Sequence, residues 1–189
     1  HRDQGFELTN ESHQKELAEF LMDRLKYYMK EKQIRGDIIE ASVSSHNLDN
    51  MNKIYNKAST LNSVISKEIG EDIVINYKRA SSILSGELKD KDIELSNTTD
   101  PGIFKNDYEK NLFKKINELR KYFSSINKDE NYKETLIVLA SAKKVISDFF
   151  DNVKVNDEDK NIKKNRLELL QMLCRTFNNY INFSNIETK

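Results

Sequence analysis

The chain of 189 residues has little of what defines disulfide-rich, turn-rich or membrane-spanning proteins. Its single cysteine, Cys174, excludes an internal disulfide framework and any zinc site built from several cysteines. One proline and five glycines are too few for an all-β architecture with many tight turns. No apolar run reaches the roughly 20 residues that span a bilayer, and no secretory signal is visible. We therefore expect a cytoplasmic protein with no membrane partner.

No sign of charge is in excess, because Lys and Arg together number 31 and Asp and Glu together also number 31. A strongly basic domain is the usual footprint of nucleic-acid binding, so the composition does not favour that function. A local basic stripe on a neutral protein can still hold phosphates. The chain begins at His1 rather than Met, from which we expect a piece of a longer protein.

Apolar residues recur at helical spacing along most of the chain, and no alternating strand pattern is found. The pattern predicts an all-α bundle of about six or seven helices. The expected helices cover about residues 11–32, 37–43, 51–65, 73–85, 106–127, 132–149 and 157–180. We predict a turn at residues 68–72, and we expect Gly86 to cap the fourth helix in a left-handed conformation.

One loop divides the chain. Residues 97–102, Asn-Thr-Thr-Asp-Pro-Gly, combine the residues that favour turns, so we assign residues 89–104 to a loop. Residues 1–88 are then a helical region that leads into, or packs on, a second part. Residues 105–189 are expected to form the core of that second helical domain.

The sequence offers no catalytic residue, metal site or cofactor motif. The three histidines, His1, His13 and His46, are scattered, and none has a second histidine at metal-ligand spacing. Cys174 falls on the apolar stripe of the last helix, which favours a buried structural thiol over a nucleophile. There is no glycine-rich phosphate loop.

A basic stripe marks the helix expected after residue 106. Its members recur at spacings of four, three and four residues: Lys110, Lys114, Asn117 and Lys121. They share the face opposite the apolar residues of that helix. Such a face can grip a phosphate backbone, or it can be an ordinary solvated face, and the spacing leaves both open. Lys78 and Arg79 on the fourth helix are a weaker candidate of the same kind.

Arg166 on the last helix shares the apolar stripe of Leu170 and Phe177 and therefore points towards the core. A buried charge needs a partner, and the nearest carboxylates before this helix are Asp148 and Asp151. We predict a structural ion pair between Arg166 and Asp151, with direct RNA contact as the alternative. Arg24 on the first helix is expected to be a paired, structural arginine too.

Several short motifs carry a family resemblance. Phe149-Phe150-Asp151-Asn152-Val153, followed by Asn165-Arg166-Leu167, resembles the closing signature of the β subunit of bacterial glycyl-tRNA synthetases. Lys154 stands where that family usually has Met. Gly36-Asp37-Ile38-Ile39 and Lys78-Arg79-Ala80 are similar to earlier family elements in the same order. The resemblance covers nearly the whole chain except residues 89–104.

The resemblance implies a function. It implies a helical anticodon-binding domain of the DALR type, which arginyl-tRNA synthetases share. This chain would be a non-catalytic part of a glycine–tRNA ligase and would hold the anticodon arm of glycine tRNA. A separate α subunit, in an assembly of two α and two β subunits, would carry the glycine-activating site, and ATP and magnesium would belong to that complete enzyme. No DNA partner is implied.

Two other functions remain open from the sequence. One is the homologous anticodon-binding domain of an arginyl-tRNA synthetase, and the other is a helical scaffold for subunit contact. Under the tRNA-binding interpretation, the expected RNA contacts are basic or amide residues on exposed faces and around the signature: Lys78, Arg79, Lys110, Lys114, Lys121, Asn152, Lys154, Lys163 and Lys164.

Overall fold

The computed structural model describes residues 11–44, 50–89, 94–96, 98–125 and 131–187, apart from the side chains of residues 11, 12 and 14. These ranges contain helices and loops and no strand, which confirms the all-α prediction. The helices are α1 (Glu11–Glu31), α2 (Gly36–Val43), α3 (Met51–Val64), α4 (Glu68–Glu87), α5 (Asp107–Ser125), α6 (Tyr132–Ala140), α7 (Lys143–Asn152) and α8 (Lys160–Phe177). Two short 3-10 turns occupy Pro101–Ile103 and Phe183–Asn185. None of the described helices is long and apolar enough to cross a membrane.

Helices α4 and α8 pack against each other at the centre of the bundle. Tyr77 of α4 lies 6.4 Å from the Phe177 ring of α8 and 5.7 Å from the Phe183 ring, measured between centroids. Asn178 donates a 3.2 Å hydrogen bond to the Tyr77 hydroxyl, so the one polar atom of that ring is satisfied. The buried apolar side chains form one cluster that includes residues from both predicted regions. The proposed boundary between residues 88 and 105 stays a prediction.

The C-terminal residues close over α2. The backbone N–H of Asn182 donates to the Ala41 carbonyl at 3.1 Å, and the N–H of Glu187 donates to the Asp37 carboxylate at 2.8 Å. Arg35 donates to the same carboxylate at 2.6 Å and to the Glu187 carbonyl at 3.0 Å. The first and last parts of the described chain are therefore joined by backbone as well as side-chain hydrogen bonds.

The outer half of α1 is exposed. Leu25 and Met29 reach the core, whereas Leu17 is 58% exposed and Phe20 is 56% exposed. Arg24 is exposed and lies over the Phe20 ring at 5.6 Å, so its predicted role as a buried, paired arginine is wrong. The reason is that, within the described ranges, α1 packs mainly on α2 and α3, which cover one side of the helix.

The helix expected over residues 132–149 is two helices, which gives one helix more than the upper prediction. The chain turns at Ser141 and Ala142, where the Ala142 N–H bonds the Leu139 carbonyl. Helix α6 packs on α3 and α4, whereas α7 packs on α4 and α5. The turn lets one continuous apolar run bury itself against different partner helices.

Both predictions based on glycine in the fourth helix are wrong. Gly70 lies inside α4 rather than in a turn, and a Cβ atom there would come within 2.3 Å of the Val64 carbonyl oxygen. Glycine is needed because the backbone that precedes α4 passes directly against this position. Gly86 also lies inside α4 and has no positive φ, so it is not a left-handed cap.

We predict opposite effects for alanine at these two glycines. Gly70→Ala should lower the free energy of unfolding by about 1–3 kcal/mol, because the added methyl group meets backbone that cannot move aside freely. Gly86→Ala, with no heavy atom within 4 Å of the new Cβ, should raise it by up to about 1 kcal/mol through helix propensity. Denaturant unfolding followed by circular dichroism measures both, and equal stabilities would contradict the close approach.

Candidate nucleic-acid interface

The basic stripe predicted from the sequence lies on the outer face of α5. Lys110, Lys114 and Lys121 are all exposed, while Leu112 and Ile116 on the opposite face are fully buried. The Lys110 ammonium group is occupied by Asp107 at 2.9 Å. Lys114 and Lys121 have no ion-pair partner in the part of the chain that the structure describes. Seven residues of helix place these two free cations about 10 Å apart along the axis.

A cleft of about 310 Å³ lies beside this stripe, between α5 and α7. Tyr108, Asn111 and Lys114 line its α5 side, and the Tyr108 side chain is 39% exposed. Across the cleft, Asp148 accepts a hydrogen bond from Lys144 at 3.0 Å. An exposed aromatic ring, an amide and a free cation are the groups by which proteins hold unstacked nucleotides.

Arg79 and the Phe-Phe-Asp-Asn-Val signature meet on one surface. The Arg79 guanidinium carbon lies 4.5 Å from the centroid of the Phe150 ring, and Arg79 also pairs with Asp151 at 3.5 Å. Both partners of that ion pair are solvent-exposed, so it contributes little to stability. The neighbouring Lys78 is half-buried and donates to the Ser184 carbonyl at 2.9 Å.

The residues around the signature differ in how free they are. Asn152 is exposed and donates to the Asp148 carbonyl at 2.8 Å, which completes the last turn of α7. Lys154 and Lys164 are exposed and lack an ion pair within the described ranges. Lys163 is different, because its ammonium is largely buried and bonded to Glu87 at 2.5 Å. Its observed role is to join α8 to the end of α4.

Arg166 is buried, as predicted, but its predicted partner is wrong. Its Nε atom donates to Glu109 of α5 at 2.7 Å, and one terminal nitrogen donates to Asp157 at 2.7 Å. The same nitrogen donates to the Lys154 carbonyl at 2.8 Å. Asp151 lies instead on the outer face of α7 and faces Arg79. Because the segment after α7 turns back towards α8, it brings Asp157 rather than Asp151 to the arginine.

Glu109 is a residue that the sequence interpretation missed. Its carboxylate is 1% exposed and accepts hydrogen bonds from the backbone N–H groups of Lys105 and Asn106. Asn106 in turn accepts a hydrogen bond from the Glu109 N–H at 3.1 Å. This reciprocal arrangement is a capping box, and the spacing Asn-x-x-Glu before an apolar run could have indicated it. The same carboxylate therefore starts α5 and holds Arg166.

Asp157 completes the group around Arg166. A backbone hydrogen bond from Asp159, together with the Arg166 guanidinium, lowers the pKa of the Asp157 carboxyl below its ordinary value. The Asp157 carboxyl is therefore ionised in the folded protein at neutral pH. Three segments, α5, α8 and the connection between α7 and α8, meet at one guanidinium.

Among the residues that the structure describes, the remaining chemical groups show no catalytic arrangement. Cys174 is buried, and burial raises the pKa of its thiol to about 12, which favours a structural role over a nucleophilic one. His13 is exposed, whereas His1 and His46 lie outside the described residues. The described residues include no group of three or more His, Cys, Asp or Glu that could hold a metal ion.

We predict that Arg166 acts on the fold and not on RNA. Arg166→Ala should cost about 3–5 kcal/mol of stability, because it leaves Glu109 buried without its charged partner. The double variant Arg166→Met, Glu109→Gln should recover a large part of that loss. Denaturant unfolding of Arg166→Met, Glu109→Gln and the double variant gives the coupling free energy. A variant at Arg166 that is as stable as the parent but binds RNA poorly would overturn this assignment.

The fold belongs to a known class. Residues 73–189 match the family described as the DALR anticodon binding domain, and this match covers more than half of the chain. The chain belongs to that family. The match begins within α4 and includes every residue predicted to contact RNA.

The most informative relatives are glycine–tRNA ligase beta subunits. The chain is 30% identical over 178 residues to that of Rickettsia prowazekii (strain Madrid E), a match that covers 94% of this chain and 25% of the relative. It is 32% identical over 173 residues to that of Persephonella marina (strain DSM 14350 / EX-H1), covering 92% and 23% respectively. The chain thus spans about a quarter of the length of the curated relatives it matches. The resemblance drawn from the motifs is confirmed.

Proposed function

We propose that this chain is the tRNA-binding module of a glycine–tRNA ligase β subunit, and that it holds the anticodon arm of glycine tRNA. The observation that carries the proposal is the match to the anticodon binding domain family over residues 73–189. Within that range, Lys114 and Lys121 stand on an exposed helix face with no carboxylate partner among the described residues. These free cations give the matched domain a physical means of binding the phosphates of RNA.

The mechanism is a grip on the phosphate backbone combined with contacts to unstacked bases. Lys114 and Lys121 neutralise backbone phosphates along α5, and counterion release drives the association. Arg79 adds a guanidinium that lies over the Phe150 ring. Replacing its contact with Asp151 by a contact with RNA costs little, because that ion pair is exposed. Tyr108 offers a ring on which a loop base can stack. No step of bond formation is assigned to this chain.

The proposal for the rest of the enzyme follows from the resemblance to glycine–tRNA ligase β subunits. A separate α subunit would activate glycine, and two α and two β subunits would form the assembly in the bacterial cytoplasm. ATP and magnesium belong in this proposal to that assembly and not to the residues described here. The role of this chain is to place the tRNA so that its acceptor end reaches the other subunit.

We predict that the paired charge reversal Lys114→Glu, Lys121→Glu weakens binding to glycine tRNA and reduces its salt dependence. The logarithm of the association constant should fall less steeply with the logarithm of salt concentration, by about one unit of slope or more, because two phosphate contacts are lost. Titration of the 189-residue chain with labelled tRNA at several salt concentrations measures both quantities.

The matched control is Lys15→Glu, Lys133→Glu. It changes the net charge by the same amount at exposed positions near the starts of α1 and α6, where acidic residues suit the helix dipole. This control should bind glycine tRNA with nearly the affinity of the parent. Equal losses in both double variants would reduce the effect to net charge and remove α5 from the interface.

A second candidate function, a subunit-contact scaffold, is favoured by the exposed apolar face of α1. Leu17, Phe20 and Tyr27 are each more than half exposed, and they follow one another along the helix. Exposed apolar side chains that recur along one helix are a candidate contact surface. The two functions use different surfaces, so one chain can carry both.

We predict that Leu17→Asn, Phe20→Asn separates the two functions. Neither side chain contributes to the buried core, so the fold should be retained, with a change of less than about 0.5 kcal/mol in stability. Affinity for glycine tRNA should equal that of the parent, while assembly with the rest of the ligase, measured by sedimentation, should weaken. Unchanged assembly would leave α1 without a role as a contact surface.

A further inference from the structure

A second cleft lies between the loop before α5 and the first turns of α8. Its volume is about 410 Å³, within the range of sites that hold small ligands. Hydroxyl and carboxylate groups line the loop side, and amide, ammonium and carboxylate groups line the helix side. The cleft adjoins neither Lys114 nor Lys121 and is distinct from the one between α5 and α7.

Two buried side chains of α8 hold the loop side in place. Asn165, 3% exposed, accepts a hydrogen bond from the Asp100 N–H at 2.8 Å and donates one to the Asp100 carbonyl at 3.0 Å. Glu168, 7% exposed, accepts from the Ser96 N–H at 2.8 Å and from the Ser96 hydroxyl at 2.6 Å. Four hydrogen bonds therefore fix both walls, and the cleft exists before any ligand arrives.

Two polar groups of the cleft have no partner in the described part of the chain. The Thr99 hydroxyl is shielded from solvent and makes no hydrogen bond. Lys164 is exposed and makes no ion pair, although Glu168 lies one turn further along the same helix with its carboxylate directed to Ser96. Shielded hydroxyls without a hydrogen-bond partner in the protein are uncommon, and a molecule that enters the cleft can supply the missing partner.

The charges of the lining select the kind of group that fits inside. Asp100 and Glu168 supply two carboxylates, against the single ammonium of Lys164. This balance disfavours a phosphate within the cleft and favours hydrogen-bond donors, such as the exocyclic amine of a nucleobase. Lys164 is exposed, so it remains available to the phosphate of the same nucleotide.

We infer that this cleft takes one unstacked base of an RNA loop, that the base carries an exocyclic amine, and that Thr99 and Lys164 bind the nucleotide. In this proposal Thr99, which lines the cleft, changes rotamer about its Cα–Cβ bond so that its hydroxyl meets the bound nucleotide. The inference rests on the proposed function, since it requires that the chain binds tRNA. It adds a position at which a base is read, separate from the backbone grip of α5.

The test compares two threonines. Thr99→Val removes a hydroxyl that the fold does not use, so stability should be unchanged or higher, whereas affinity for glycine tRNA should fall about 3- to 10-fold. Lys164→Gln should produce a loss of similar size. Thr176→Val is the control, because the Thr176 hydroxyl is buried and bonded to the Met172 carbonyl at 2.7 Å, away from the cleft. Its affinity for tRNA, corrected for any unfolded fraction, should equal that of the parent.

A second RNA decides whether a base is read. Glycine tRNA whose anticodon nucleotides are all replaced by uridine lacks exocyclic amines there, and Thr99→Val should bind this RNA as well as the parent does. An equal loss on both RNAs would overturn the assignment of a base to the cleft. Parent-like affinity of Thr99→Val for native tRNA, beside a loss in Lys114→Glu, Lys121→Glu, would remove the cleft and leave the proposed function standing. Failure of the parent to bind any tRNA would remove both.

Discussion

The guanidinium of Arg166 is the point on which the arrangement of the second half of the chain depends. It is held by Glu109, by Asp157 and by the Lys154 carbonyl, so it joins α5, α8 and the connection between α7 and α8. A charge buried this deeply is tolerable because two carboxylates and a backbone carbonyl accept its hydrogen bonds. Since α5 carries Lys114 and α8 carries Lys164, the same guanidinium sets how the two candidate RNA-binding surfaces lie relative to each other.

The two candidate surfaces are built alike. Buried residues hold the backbone in place, and the groups available to RNA are those without a protein partner within the described ranges. Many of the basic side chains on the surface are neutralised by a carboxylate, as Lys110 is by Asp107 and Lys143 by Asp72. Lys114, Lys121 and Lys164 are exceptions within the described ranges. A chain of zero net charge can therefore present positive potential locally, because many of its acidic residues pair with other basic residues.

The sequence predicted what depends on local periodicity and failed where the answer depends on distant contacts. The exposed face of α5 and the inward direction of Arg166 follow from a repeat of 3.6 residues. The partner of Arg166 depends on the path of residues 153–159, and the pairing of Lys163 with Glu87 depends on how α8 crosses the end of α4. The sequence predicts a turn around Gly70, because no local pattern shows that the backbone of Val64 and Ile65 passes against this glycine. The contacts of the candidate residues with RNA remain predictions.

The hydrogen bonds between the C-terminal residues and α2 have a consequence for synthesis on the ribosome. The Asp37 carboxylate accepts a hydrogen bond from the Glu187 N–H, which lies 150 residues later in the chain. Until those residues leave the exit tunnel, Asp37 has only local partners such as Arg35, and the carbonyl of Ala41 lacks its bond from Asn182. Closure over so long a separation makes folding slower than the helical content alone would suggest.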